Sequence, residues 1–355
     1  MKVSDYIAKF IKKYSSHIFV GQGGNIIHLL DSCAKLNGLK VIPSQNEQGA
    51  AIAADAYSRF HNKIGFTAAT SGPGMINLIQ GIACSYFDSI PTVHFSGAVV
   101  TSQLRENKNI RQVGFQEMEV VDLVKPVTKY AVLLKNKNMI RYELEKLIYI
   151  ATSGRPGPVL MDLPDDIQRA NINPNKLKKF IKPNKKNKKL NFYKKFSNLV
   201  KKSKRPLVVF GNGIKVSKTE KELKKFIQLN KLPFIPTWAC LDTLPGNKNY
   251  NAGSFGVAAT RFGNLAIQNS DLLIVLGSRL PTQVTGSNLK SFAPSAKKIV
   301  VDIDNHELRR TKGLKIDMKI NIDLKDFFSE VNKKIISKTD YKDWASNFIK
   351  WQKKY

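Results

Sequence analysis

A chain of 355 residues is long enough for two domains, each with its own core. Its apolar fraction of 42% is typical of a soluble protein, and no apolar run reaches the length of a bilayer span, so a membrane partner is set aside. With 58 Lys and Arg against 27 Asp and Glu, the formal net charge of +31 makes nucleic acid the first partner to weigh.

Much of the excess charge lies between Lys176 and Arg205, a stretch that is nearly free of acids. No recognition helix and no RNP-like aromatic pattern accompanies it, so it reads as a solvated linker and no nucleic-acid role is expected. Residues 1–15 lack the uninterrupted apolar segment of a secretory signal. Cys33, Cys84 and Cys240 match neither metal nor disulfide spacing, so no metal ligands are expected in this chain and a reducing cytoplasm is the natural compartment.

In chain order, residues 3–14 form an amphipathic helix and His17–Val20 a short strand. Gly21-Gln22-Gly23-Gly24 then turns into a helix from Asn25 to Leu36, without completing a dinucleotide fingerprint. Leu39–Pro43 is the next strand and leads to Glu47, the first residue of a helix dense in small residues through Tyr57. Gly65–Thr70 is a buried strand, and Ser71-Gly72-Pro73-Gly74 turns directly into another helix, followed by a strand ending near Gly97. Strand, Gly-Pro-Gly turn and helix place bare backbone N–H groups at a crevice above a sheet, where cofactors bind. Beyond it come a polar segment containing Gly114-Phe115-Gln116-Glu117, a strand at Val127–Leu134, a helix at Asn138–Ala151 and a strand at Val159–Leu163. Repeated strand–helix order with apolar strands predicts a parallel sheet covered on both faces.

The Pro- and Lys-rich stretch 171–190 is the expected domain boundary, and a second domain begins near Asn191. Strands are expected at Pro206–Phe210, Leu232–Thr237, Asp271–Leu276 and Lys298–Ile303, with helices at Lys218–Asn230, Leu324–Ser337 and Asp340–Lys353. Gly211 follows the first of these strands, Gly277 and Arg279 the third. Asp302 and Asp304 close the fourth, where an acid can accept from a ribose or ribityl hydroxyl.

Glu47 with its small-residue helix, Thr70-Ser71-Gly72-Pro73-Gly74 with Asn77, and Asp88-Ser89-Ile90-Pro91 together resemble the pyrimidine-binding domain of thiamine-diphosphate enzymes. The nearest group is that of the acetolactate (acetohydroxyacid) synthase large subunit, and the resemblance spans the chain. It implies an α/β fold of two doubly wound parallel-sheet domains: a pyrimidine-binding domain at 1–170, the linker 171–190, and a Rossmann-like, FAD-binding-type middle domain at 191–338. Residues 339–355 are then the start of a linker to a third domain. In such enzymes a glutamate, Glu47 by position, hydrogen-bonds N1′ of the aminopyrimidine so that the 4′-nitrogen can take the C2 proton. The resemblance gives Gln116 a catalytic role facing substrate. It gives Gly23, Gly24, Gly72, Pro73 and Asn77 to the cofactor pocket, and Arg155, Gly211, Gly277, Arg279 and Asp302 to a flavin contact.

The reaction so implied is decarboxylation of a 2-keto acid such as pyruvate and ligation of the two-carbon unit to a second carbonyl compound. The diphosphate and its Mg²⁺ are held in that family by a GDG…N motif, which does not occur here, so a third domain or a separate chain is expected to supply it, within a homodimer or tetramer. Three departures bear on the reaction: Asp165 after Leu-Pro where the family carries lysine, Pro281-Thr282-Gln283 in place of Asp-Asp-Arg, and Ser254-Phe255-Gly256 in place of Met-His-Gly. They leave open a related thiamine-diphosphate decarboxylase or carboligase, or a truncated, non-catalytic nucleotide- or flavin-binding module.

Overall fold

The computed structural model describes residues 1–107, 109–184, 191–244, 249–309 and 313–355. The chain divides into two compact units, Met1–Lys185 and Lys186–Tyr355.

In the first unit the order is α1 (Val3–Tyr14), β1 (His17–Val20), α2 (Ile27–Ala34), β2 (Lys40–Pro43), α3 (Glu47–His61), β3 (Gly65–Ala69), α4 (Pro73–Asp88), β4 (Thr92–Ala98), α5 (Val120–Val124), β5 (Tyr130–Leu133), α6 (Ile140–Thr152), β6 (Val159–Pro164) and α7 (Asp165–Arg169). The strands form one parallel sheet in the order β2-β1-β3-β4-β6-β5. β3, β4 and β6 are buried along their whole length, as their apolar composition requires of strands covered on both faces. Val93, Phe95, Met161 and Leu163 face one apolar cluster with Ile7, Ile11 and Leu144, while Leu160 and Ala69 face another with Met75, Leu78 and Ile82. Such alternation is what a strand between two helical layers produces.

Helix α3 approaches the sheet closely because its inner face is Ala50, Ala51 and Ala54. Two glycines use that closeness: a Cβ at Gly65 would lie 2.0 Å from the Ala54 carbonyl oxygen, and one at Gly81 would lie 2.4 Å from the Ala51 Cβ. The small-residue helix read from the sequence is therefore the means by which α3, α4 and β3 pack.

The second unit runs α8 (Tyr193–Lys202), β7 (Pro206–Phe210), α9 (Gly213–Ser217), α10 (Glu220–Asn230), β8 (Phe234–Pro236), α11 (Arg261–Asn269), β9 (Leu272–Leu276), α12 (Thr282–Thr285), β10 (Lys297–Asp302), α13 (Asn305–Arg309), β11 (Met318–Asn321), α14 (Leu324–Val331) and α15 (Lys342–Lys354). Its strands pair in parallel in the order β11-β10-β9-β7-β8. A doubly wound α/β architecture for each unit agrees with expectation, with four differences.

The linker expected at 171–190 does not begin where composition placed it. Ile172 N donates to the Met1 carbonyl at 2.9 Å, Leu177 is buried in the first unit's core, and Phe180 packs against Tyr142 and Tyr149. The apolar residues among the lysines hold 171–180 on the unit, while residues 185–190 of the expected linker lie outside the described residues. Residues 339–355, expected as the start of a linker, carry the expected helix as α15, but its Trp344, Phe348 and Trp351 pack into the second unit's core; Trp344 Nε1 donates to the Pro206 carbonyl at 3.1 Å. The helix expected at Lys218–Asn230 begins two residues later, at Glu220, because Lys218 takes a left-handed φ of 57° after the short helix α9. Finally, α5, α7, α8, α9, α11, α12, α13 and β11 add to the elements expected from sequence. No described helix is long and apolar enough to cross a membrane.

Candidate functional site

In the first sheet β1 has β2 on one side and β3 on the other, so connections leave in opposite directions between β1 and β3 and open a crevice at the carboxyl ends of the strands. Three turns converge there: Gly21 to Gly24 after β1, Glu47 at the first position of α3 after β2, and Thr70 to Gly74 after β3. Asn46 caps α3 by accepting from the Gly49 N–H at 2.8 Å, which sets the direction in which Glu47 leaves the helix start. The Glu47 carboxylate, half-buried, accepts a hydrogen bond from Nδ2 of Asn77 at 3.0 Å.

Absent side chains shape the walls around it. A Cβ at Gly21 would lie 2.3 Å from Cγ of Glu47, one at Gly23 would lie 2.3 Å from Cβ of Thr70, and one at Gly74 would lie 2.8 Å from Cγ2 of Thr70 and 3.4 Å from Oε1 of Glu47. Gly24 has nothing within 4 Å of its Cβ position and borders open space. Pro73 starts α4, where a missing N–H forfeits no helical bond. Gly72, with φ 63°, sits against Gln116, whose own φ is 62°; a Cβ at Gly72 would approach the Gln116 Cβ to 2.8 Å. Glu117 fastens this second strained turn by accepting from the N–H groups of Arg105 at 2.6 Å and Val113 at 2.8 Å. Phe115, at the same turn, is 81% exposed rather than in the core.

Beneath α3 and α4 the sheet carries a line of buried polar side chains. The His94 ring lies between Thr67 Oγ1 at 2.7 Å and Thr92 Oγ1 at 2.8 Å, and full burial pushes its pKa down to about 3. Asp162 accepts from Ser96 Oγ at 2.6 Å; burial pushes its carboxyl up to about 7, with Glu119 adding to the shift and the Ser96 bond opposing it.

The second unit repeats the sheet logic with other chemistry. Gly211 after β7 and Gly277 after β9 meet at that sheet's reversal point, where Cβ atoms at Gly211 and Gly213 would each lie 2.7 Å from Gly277. Their N–H groups are used within the fold: Gly211 N donates to Leu276 O, Gly213 N to Gly277 O and Gly277 N to Val301 O, all at 3.0 Å. These glycines thus serve close packing, and their amides are not offered to a phosphate. Beside them Arg279 and Asp302 share a pocket with Ser278, Glu307 and Leu314, and Asp302 Oδ1 accepts from the Asp304 N–H at 2.8 Å.

Residues 1–123 match the family described as thiamine pyrophosphate enzyme, N-terminal TPP binding domain, and residues 193–331 match thiamine pyrophosphate enzyme, central domain. The chain belongs to the thiamine pyrophosphate enzyme family. Among its relatives, the acetolactate synthase large subunit of Buchnera aphidicola subsp. Schizaphis graminum is 32% identical, with 98% of this chain and 61% of the relative covered. The acetolactate synthase large subunit of Haemophilus influenzae is 30% identical over 95% of this chain and 59% of its own length. The chloroplastic acetolactate synthase of Arabidopsis thaliana is 32% identical over 83% and 43% respectively. The chain spans about four to six tenths of the length of these curated relatives.

Of the residues assigned from the thiamine pyrophosphate enzyme pattern, Glu47, Gly23, Gly72, Pro73, Asn77 and Gln116 are gathered around one crevice of the TPP binding domain. Arg155 is elsewhere: its Nε donates to Ser89 Oγ at 2.8 Å, and both residues precede strands β6 and β4, at the amino-terminal edge of the sheet. Gly211, Gly277, Arg279 and Asp302 lie together in the central domain. Sequence reasoning did not single out Asn25 as a site residue or Gln168 at all. Asn25 donates through its side chain to Ser71 Oγ at 2.6 Å and through its N–H to Thr70 Oγ1 at 3.3 Å. The only signal in the sequence is a polar side chain directly after the glycine turn.

Proposed function

We propose that this chain supplies the pyrimidine half of a thiamine diphosphate site in an acetolactate-synthase-like enzyme. That enzyme decarboxylates a 2-keto acid of the pyruvate kind and ligates the two-carbon unit to a second carbonyl compound. The observation that carries the reading is the Glu47 carboxylate, held by Asn77 where the glycine turns after β1 and β3 close around it and Gly24 borders open space. Bound thiamine diphosphate supplies an acidic C2 carbon able to add to a ketone. Glu47 holds a proton against the ring nitrogen facing it, Asn77 fixes which carboxylate oxygen does so, and the Gly72–Gln116 contact sets the crevice width.

In this reading the diphosphate and its Mg²⁺ are held by groups outside these residues, in a third domain or a separate chain. Exposed Ile52 and Phe60 of α3 and Ile76 and Phe87 of α4 support a homodimer or tetramer built on that face. Three unpaired cysteines suit a reducing cytoplasm. The same reading includes FAD, in the second unit. The second-unit pocket is lined by the Arg279 guanidinium and the Asp302 carboxylate, and the neighbouring glycine amides are used within the fold. Asp165 lies 3.3 Å from His28 Nε2 and 3.3 Å from Arg169 Nε, so the carboxylate that replaces the family lysine has local partners. That change favours, as a second reading, a related decarboxylase or carboligase with a different acceptor.

The test is deuterium exchange at C2 of thiamine diphosphate, followed by proton NMR in the assembly that includes the diphosphate-binding polypeptide. Glu47→Gln is expected to remove most of the exchange. Undiminished exchange in that variant would overturn the assignment.

A further inference from the structure

Gln168 lies in α7, far in sequence from the crevice, and is 0% exposed. Its side chain makes three hydrogen bonds to backbone. Nε2 donates to the carbonyls of Asn25 at 2.7 Å and Leu163 at 2.9 Å, and Oε1 accepts from the Leu29 N–H at 3.3 Å. Two carbonyls on one side and an N–H on the other leave a single amide orientation that satisfies all three.

The partners explain why a glutamine is placed there. Helix α2 begins without a side-chain cap, because its N-cap position is Ile26, so the first-turn N–H of Leu29 lacks a local acceptor. Gln168 supplies that acceptor from across the fold and, through the same amide group, anchors the turn after β1 to the end of β6. Asn25 carries the connection onward to Ser71 and to Thr70, the residue against which both Gly23 and Gly74 pack, and Gly74 in turn borders Glu47. Gly97 lets the strand β4 backbone approach the same carbonyl, since a Cβ there would lie 2.2 Å from the Asn25 oxygen.

We infer that Gln168 is a positioning residue for the Glu47 crevice, acting through Asn25 on the Thr70–Gly74 turn. The inference rests on the proposed thiamine diphosphate reading only for what the crevice holds; the mechanical relay is a property of this chain.

The test is backbone amide hydrogen exchange on the full chain, in the parent, Gln168→Met, Gln168→Glu, Asn25→Ala and the double variant Asn25→Ala/Gln168→Met. Gln168→Met is expected to accelerate exchange in segments 24–30 and 69–74 by about tenfold, with segment 140–150 unchanged. Gln168→Glu keeps the acceptor for Leu29 and loses the donor to Asn25, so it should retain protection at Leu29 and lose it at 69–74. On the Asn25→Ala background, Gln168→Met should add less than about twofold at 69–74, the non-additivity expected of one path. Additive effects, or uniform acceleration over residues 1–180, would overturn the inference and leave Gln168 a core stabiliser. Should Gln168→Met not fold, the Gln168→Glu pattern decides alone. Loss of C2 exchange in Glu47→Gln reads the function separately, so either idea can fail without the other.

Discussion

The side-chain amide of Asn77 donates to Oε2 of Glu47 at 3.0 Å and thereby joins α3 and α4 at their amino-terminal ends. An acid at the first position of a helix is also favoured by the helix dipole, so two neighbouring helices hold the Glu47 carboxyl group in place. Asn77→Ala should alter folding stability by no more than about 1 kcal/mol, measured by urea unfolding, because both groups are open to water. Asn77→Asp places two carboxylates at hydrogen-bond distance and should abolish thiamine diphosphate binding in the complete assembly. Calorimetric titration reads that difference, and equal affinity in both variants would argue against a carboxylate-directed site.

Glycines near the crevice separate into two kinds. Gly21→Ala meets the flexible Glu47 side chain, so the fold should survive while the carboxylate is displaced and ligand binding is lost. Gly65→Ala meets the backbone oxygen of Ala54 on a helix that cannot move aside, and should destabilise the first unit by about 1–3 kcal/mol or more. Circular dichroism melts of the two variants should therefore differ clearly.

Gly72 and Gln116 are both left-handed and touch. Gly72→Ala adds steric strain to a positive φ and should cost about 1–2 kcal/mol. Gln116→Gly relieves the same strain on the other side of the contact. It should leave the unfolding midpoint unchanged or higher while lowering turnover in the assembled enzyme, since a flexible turn no longer fixes the crevice wall.

His94 and Asp162 give opposing pH dependences. The Asp162 carboxyl is raised from 3.8 to about 7, so the folded chain holds a proton that the unfolded chain has released; its contribution to stability is full below 3.8 and is lost as pH rises through 7. The His94 imidazole is lowered from 6.5 to about 3, so its contribution is full above 6.5 and is lost as pH falls toward 3. Between about pH 4 and 6.5 the two slopes cancel, each near 1.4 kcal/mol per pH unit at most. Relative to the parent, Asp162→Asn should climb in stability across that window and His94→Gln should fall. Chemical unfolding at several pH values provides the measurement, and parallel curves would show that neither group carries the linkage.

Much of the sheet architecture was legible because Leu, Ile and Val runs bounded by glycine or proline leave little alternative to buried parallel strands. β11 was missed because Met318–Asn321 is a four-residue edge strand with polar residues alternating outward. α11 was missed because a glycine interrupts a short pattern that in fact begins with a Thr260 cap. Counting lysines made 171–180 look like a linker, whereas Leu177 and Phe180 are enough to hold it down. The crevice was readable from Glu47, the Gly-Pro-Gly turn and Asn77, since each leaves a local mark in the sequence. Gln168 left none: a buried glutamine bridging turns more than a hundred residues apart looks, one residue at a time, like any polar position on a short helix.

The packing of α15 has an optical corollary. Trp238, Trp344 and Trp351 are the chain's three tryptophans and all belong to the second unit, two of them on that last helix. Indole emission therefore tracks the disassembly of one half of the molecule and is silent about the half that carries Glu47. A fluorescence melt could show a fully intact protein after the crevice has already come apart.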